Sequence, residues 1–285
     1  MRAPVGGSTD LAEPGFETWP DSTVHVEWGA TGAELAAARG DVIIVVDVFS
    51  FSTTLSMAVA RDFTCLVYSR AEIEDLGGPA KAAIRLNAKP LGGRGEPVPG
   101  RVTLAAVSLL TAEPGQRVVF TSLSGATVVG AAAKAPALLV GGPRNATACA
   151  RVAARLLSTT RAGRITVVAC GERWSSAEPG MAGTRPSVED WAGAGVICSH
   201  LAELGYSLSA EARLASAMWL SETVLEDLAE CVSARELRAG GYGADVELAL
   251  QADTDDKVPV RMTGEQTGRV FVGVEAPGPE SREKP

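Results

Sequence analysis

Asp47 ends a short apolar run, and Ser50, Ser52, Thr53 and Thr54 follow it closely. A carboxylate at a strand end with hydroxyls opening the next helix suits a phosphoryl group. Free backbone N–H groups and the positive end of the helix dipole face an anion there. Mg²⁺, which takes one or two carboxylates plus phosphate oxygens, would sit beside it on Asp47. The competing reading is a capped helix, with Ser52 or Thr53 serving only the backbone. The residues alone leave both open. Phe49 stands where haloacid-dehalogenase-type phosphatases place a second Asp, so that class is disfavoured.

Other strand-end segments repeat the theme. TSLSGAT at 121–127 sets Ser124 and Gly125 at a turn where a backbone can approach an anion, or merely caps a helix. In GGPRNAT at 141–147, Asn145 is a good N-cap, and Arg144 is either a phosphate clamp or exposed. Glu172 and Arg173 follow an apolar run at 165–170. In SVED at 187–190, Ser187 and Asp190 form a variant capping box, or Glu189 and Asp190 act as paired metal ligands. The small residues at 192–195 admit a close backbone neighbour. Arg94 lies in a Gly- and Pro-rich loop and matters only if that loop covers the cleft. With two histidines, His25 and His200, a conventional Ser-His-acid triad has little material.

These residues need elements to hold them. Apolar β-branched runs predict strands over 41–47, 63–68, 117–121, 137–140 and 165–170. Helical patterns follow over 52–61, 79–86, 126–134, 147–157 and 187–204. This alternation argues α/β, a mostly parallel sheet flanked by helices. In such sheets ligands sit at the carboxyl ends of strands. The C-terminal third reads as α+β. It has helices from 209 to about 238, a Gly-rich turn, a segment at 245–251, and a closing hairpin-like pair at 258–262 and 269–274. One domain over 23–274 is expected, with a second lobe from about 205 as a variant, between disordered tails at 1–22 and 275–285.

Composition narrows the function. The chain has 285 residues, is 46% hydrophobic and 21% charged, and carries a net charge of −8. That is an ordinary globular balance. An acidic chain without a basic cluster disfavours nucleic acid. No apolar run nears the roughly 18 to 20 residues of a membrane span. The start shows no signal-peptide pattern, and the five scattered cysteines suit a reducing compartment, so a cytoplasmic location is expected. The apolar helices after 209 offer core, or a homodimer face.

The ordered set DVFSFSTT (47–54), GGRG (92–95), TSLSGAT (121–127), GGPRNAT (141–147) and SVEDWAGAG (187–195) resembles the 2-phosphosulfolactate phosphatase family. The likeness runs over roughly 25–262 and includes the stretch DVELALQADTDDKVPV at 245–260. It implies an α/β sandwich of three layers and a Mg²⁺-dependent hydrolase acting on 2-phospho-3-sulfolactate or a related small phosphomonoester. The retained groups Asp47, Ser52, Thr53, Arg94, Asn145, Glu189 and Asp190 would carry a metal-and-phosphate site. Mg²⁺ would rest on Asp47, Glu189 and Asp190. Thr54, Ser124, Gly125 and Arg144 would add substrate contacts, and Arg94, Glu172 and Arg173 would assist catalysis. Departures stand at Ser50, Gly93, Ser124, Ala126 and Thr127, where the family has Arg, Glu, Asn, Thr and Arg. The alternatives are a non-catalytic relative that binds a phosphorylated metabolite or a protein partner, and a biosynthetic enzyme acting on another phosphorylated intermediate.

Overall fold

The structure is a computed structural model that describes residues 23–94, 102–174, 184–262 and 269–278. The expected tail at 1–22 lies outside the described residues, as does 279–285 of the other tail. So does Gly95 of the GGRG segment.

The first half opens with strand β1 (Val24–Trp28) and helix α1 (Gly29–Arg39), then β2 (Val42–Val46) and α2 (Phe51–Ala60). The strand β3 (Thr64–Tyr68) leads to two short helices, α3 (Arg70–Asp75) and α4 (Pro79–Arg85), and a two-residue β4 (Lys89–Pro90). Next come β5 (Arg117–Thr121), α5 (Gly125–Ala131), β6 (Ala137–Gly141), α6 (Ala146–Thr159) and β7 (Ile165–Ala169). A small ribbon of β8 (Glu172–Arg173) and β9 (Thr184–Arg185) precedes the long α7 (Val188–Glu203). Four helices follow: α8 (Ala210–Trp219), α9 (Val224–Ala229), α10 (Val232–Ala239) and α11 (Gly243–Ala249). The strands β10 (Lys257–Arg261) and β11 (Val270–Glu275) end the described fold.

The main sheet has the order β1-β7-β2-β6-β10-β11-β3-β5-β4. β1, β7, β2 and β6 form one parallel block, and β3, β5 and β4 another. The closing pair is antiparallel, as its hairpin pattern predicts. Its place is a surprise. It joins the two blocks in mid-sheet, pairing antiparallel to β6 on one side and β3 on the other. Val258 and Phe271 are fully buried, which suits a central position and not an edge.

β2 shows why the sheet has two covered faces. All five of its residues are buried. Val42, Ile44 and Val46 join one apolar core with residues of α6, α7 and α8. Ile43 and Val45 join another with residues of α1, α2 and α5. A strand without alternation is what two apolar faces require. The result is the expected three-layer α/β arrangement.

The reading from sequence began its first strand at 41 and did not include β1 and α1. The VHVEW of β1 holds a His and a Glu, so its pattern is weak. It is an edge strand that pairs along its length with β7. The segment at 245–251, given no type from the sequence, is mostly helix α11.

Candidate active site

Asp47 leaves β2 just before the turn into α2, and its carboxylate is buried. One oxygen accepts the Phe51 N–H at 3.3 Å and the other the Gly125 N–H at 3.0 Å. The side chain therefore ties the 47–51 turn to the start of α5. Gly125 must be glycine for this contact. A Cβ there would lie 2.2 Å from the Phe51 ring. Burial raises the Asp47 pKa to about 6. The two amide bonds and Arg94 oppose that rise, and Glu189 adds to it.

Asp190 does similar work between the two central strand ends. Its oxygens accept the Val48 N–H at 2.8 Å and the Gly171 N–H at 2.9 Å. The predicted capping box of Ser187 and Asp190 is therefore not formed. Ser187 is the N-cap of α7, but its buried hydroxyl has no hydrogen-bond partner among the described residues. The carboxylate that would have closed the box reaches across the sheet end instead. Burial, then Asp47 and Glu189, push the Asp190 pKa well up. Glu189 is also buried, and accepts from the Cys231 thiol at 3.5 Å. Glu172, half-buried on β8, has its pKa raised to about 7, by burial first and then by Asp47 and Glu189.

Four acids, Asp47, Glu172, Glu189 and Asp190, are thus brought into one electrostatic neighbourhood, with Arg94 as a nearby cation. Arg94 Nη2 donates to the Ser50 hydroxyl, and the guanidinium lies 5.5 Å from the centre of the Tyr242 ring. Arg94 itself lines the cleft described below. Arg94 Nε is buried with no hydrogen-bond partner among the described residues.

The acids do not form the three-carboxylate cage expected from the sequence. Among the described residues, no group of three or more His, Cys, Asp or Glu is arranged to hold a metal ion. Both oxygens of Asp190 are taken by amides from different loops, which makes it a brace. The oxygens of Asp47 are held in the same way, and on both residues each oxygen retains a lone pair beyond its amide bond. This donor set suits Mg²⁺ in the usual manner, on one or two carboxylates, with water and substrate oxygens completing the shell.

The hydroxyls are committed to the backbone. Ser52 accepts the Asp47 N–H at 2.8 Å, Thr53 donates to Val48 O at 2.9 Å, and Thr54 donates to Leu104 O at 3.0 Å. They shape the junction and point no free proton at an anion. Asn145 folds its own turn, accepting the Gly142 N–H and donating to Val140 O. Arg144 is not an anion clamp. Its Nε and Nη2 grip Asp255 at 2.8 Å each, and its Nη1 donates to Leu248 O and Gln251 Oε1. Asp255 in turn accepts from Ser56 at 2.8 Å. This buried knot fastens the segment after α11 to α2. Ser124 is the N-cap of α5 and makes no side-chain cap.

A cleft of about 450 Å³ opens beside these groups, lined by Phe49, Arg94, Glu172, Arg173, Arg185 and Tyr242 among others. A larger one, about 690 Å³, is lined by Thr147, Arg151, Asp253 and Lys257 and holds none of the four acids. Arg185 and Tyr242 are the residues that sequence reasoning missed. Arg185 stands opposite Glu172 in the β8–β9 pair. Strands of two residues are too short to leave a periodicity to read. Tyr242 belongs to the Gly-rich turn before α11, whose place over the cleft is a tertiary fact.

A family model described as 2-phosphosulpholactate phosphatase matches residues 31–264. No curated protein matches the chain significantly.

Proposed function

The chain belongs to the 2-phosphosulpholactate phosphatase family, and from that premise we propose that it is a phosphoric monoester hydrolase acting on a small phosphorylated acid. The observation that carries the reading is the convergence of buried Asp47 and Asp190 on the loops leaving β2 and β7, with Arg94 on Ser50 of the same turn and Glu172 just after β7.

Arg94 would pair with phosphoryl oxygens through its outward N–H groups. Glu172, with a pKa of about 7, is suited to take the proton of an attacking water as general base. Asp190 would keep the two strand-end loops in register, so that Asp47 and Glu172 face the same space. Mg²⁺ would be held by Asp47 and Glu189, and would supply charge neutralisation at the phosphoryl oxygens. A cytoplasmic location and a homodimer remain part of this proposal.

The test is phosphate release from a panel of small phosphorylated carboxylic and sulfonic acids in Mg²⁺. Release is expected, with kcat/KM rising as pH passes through about 7, because the base acts deprotonated. Glu172→Gln should lower kcat by about 10²-fold or more and flatten that limb. Mg²⁺ should also raise the Tm more at pH 8 than at pH 5, since Asp47, with its pKa raised to about 6, is mostly protonated at pH 5 and ionised at pH 8. A silent panel would overturn the hydrolase reading.

A non-catalytic relative is the second reading, favoured by the commitment of Ser52, Thr53, Thr54 and Arg144 to internal bonds. Calorimetric binding of a phosphorylated acid without turnover would select it.

A further inference from the structure

Two guanidinium groups in the 450 Å³ cleft each lie within cation–π distance of an aromatic ring. Arg94 lies 5.5 Å from the Tyr242 ring centre, and Arg185 lies 6.0 Å from that of Trp174. A guanidinium held near a ring by cation–π attraction keeps N–H groups for anions. The buried Nε of Arg94 has no hydrogen-bond partner among the described residues.

The two cations belong to different supports. Arg94 donates to Ser50, close to the acids. Arg185, with Arg173 on the paired strand, rides on the β8–β9 ribbon, and its Nη2 reaches Ser233 at 3.3 Å and Glu236 at 3.4 Å. The cleft therefore has one guanidinium beside the acids and two more at the ribbon, where Glu172 and Glu236 share the lining. Between and around them stand three rings of graded depth. Phe49 is buried, Tyr242 half-buried, and Trp174 55% exposed at the rim. A volume of about 450 Å³ lies in the range that accepts a drug-sized ligand, well beyond a three-carbon acid.

We infer that this cleft selects organic phosphates with an aromatic body and a second anionic group, such as an aryl phosphate bearing a carboxylate, over three-carbon phospho-acids. The phosphoryl group would meet Arg94 beside the acids. The ring would lie against Tyr242 and Trp174, and the distal anion would meet Arg185 and Arg173. This rests on the cleft being the phosphoryl-binding site proposed above, whether or not the ester bound there is turned over.

The full chain is assayed in Mg²⁺ with 4-carboxyphenyl phosphate, phenyl phosphate and 2-phospholactate. Binding of 4-carboxyphenylphosphonate, which cannot be hydrolysed, is followed by calorimetry. The expected order of kcat/KM places 4-carboxyphenyl phosphate first, about tenfold or more above 2-phospholactate. Trp174→Ala should cut that ratio about tenfold, and Trp174→Phe should restore most of it. Arg185→Gln should cut the preference for 4-carboxyphenyl over phenyl phosphate by about tenfold or more. A preference for 2-phospholactate, or variants that shift all substrates alike, overturns the inference and leaves the phosphatase reading standing. Phosphonate binding that Trp174→Ala and Arg185→Gln weaken, without turnover of any ester, overturns the phosphatase reading and keeps this one. Neither turnover nor binding overturns both.

Discussion

Asp190 separates two roles that its position in sequence leaves joined. As a metal ligand it would use the lone pairs left beyond its amide bonds, and as a brace the amide bonds themselves. In the structure it accepts the N–H groups of Val48 and Gly171, and so braces the loops that leave β2 and β7. Truncation to Ala leaves two buried donors unpaired, a loss of roughly 2–4 kcal/mol. Removal of a buried carboxylate whose pKa is pushed up offsets part of this at neutral pH. Asp190→Asn keeps an acceptor for one amide but turns its own NH₂ toward the other. The expected order of stability is therefore wild type, then Asn, then Ala. Urea unfolding gives the stability and phosphate release the activity, and the two should fall together. An Asn variant of wild-type stability that has lost all activity would instead make Asp190 a ligand.

At the scale of elements, the small residues of α7 show what was legible in the sequence. The run at 192–195 predicted a close backbone neighbour, and the structure supplies it. A Cβ on Gly195 would lie 2.0 Å from Ala215 O on α8, and one on Gly193 would lie 2.7 Å from Val48. Neither obstacle is the end of a flexible side chain, so Gly195→Ala must push α8 away. It should destabilise by about 1–3 kcal/mol, a Tm loss of roughly 5 °C in a chain of this size. An unchanged Tm would mean that α8 moves at no cost. The buried strands and long helices were readable because period and composition are local. The mid-sheet place of β10 and β11 was not, since an antiparallel pair has the same pattern at an edge or in the centre. The site divided likewise. Asp47, Arg94, Glu172, Glu189 and Asp190 stand out as charges at strand ends, at a helix start or in a glycine loop. That Arg144 binds Asp255 and not a ligand depends on a partner 111 residues away. No spacing rule carries that distance.

For the whole molecule, the ionisable groups lean one way with pH. Asp47 has its pKa raised from 3.8 to about 6, and Glu172 from 4.5 to about 7. A carboxyl with a raised folded pKa adds a penalty that is absent below its unfolded value and complete above its folded one. For Asp47 that penalty is about 3 kcal/mol once the group is ionised. His200 has its pKa raised from 6.5, chiefly by its bond to Asp253 and also by Glu203. Its contribution is complete below 6.5 and lost as pH climbs through the raised value. Asp253 has a lowered pKa, so its contribution fails only as pH falls below 3.8 and stays constant between pH 5 and 8. The net charge of −8 adds general repulsion on the same side. The protein without added metal should therefore melt at a higher temperature at pH 5.5 than at pH 8. Salt divides the causes, because it screens the general repulsion and leaves the buried acids nearly untouched. Asp47→Asn and Glu172→Gln should each flatten the slope in high salt, Asp47→Asn below about pH 6 and Glu172→Gln up to about pH 7. His200→Gln should flatten it above pH 6.5. The readout is the slope of Tm against pH, since each variant also shifts the absolute Tm through its hydrogen bonds. A wild-type Tm that climbs from pH 5.5 to pH 8 would mean that the acids at the ends of β2 and β7 are not held as charges against their own burial.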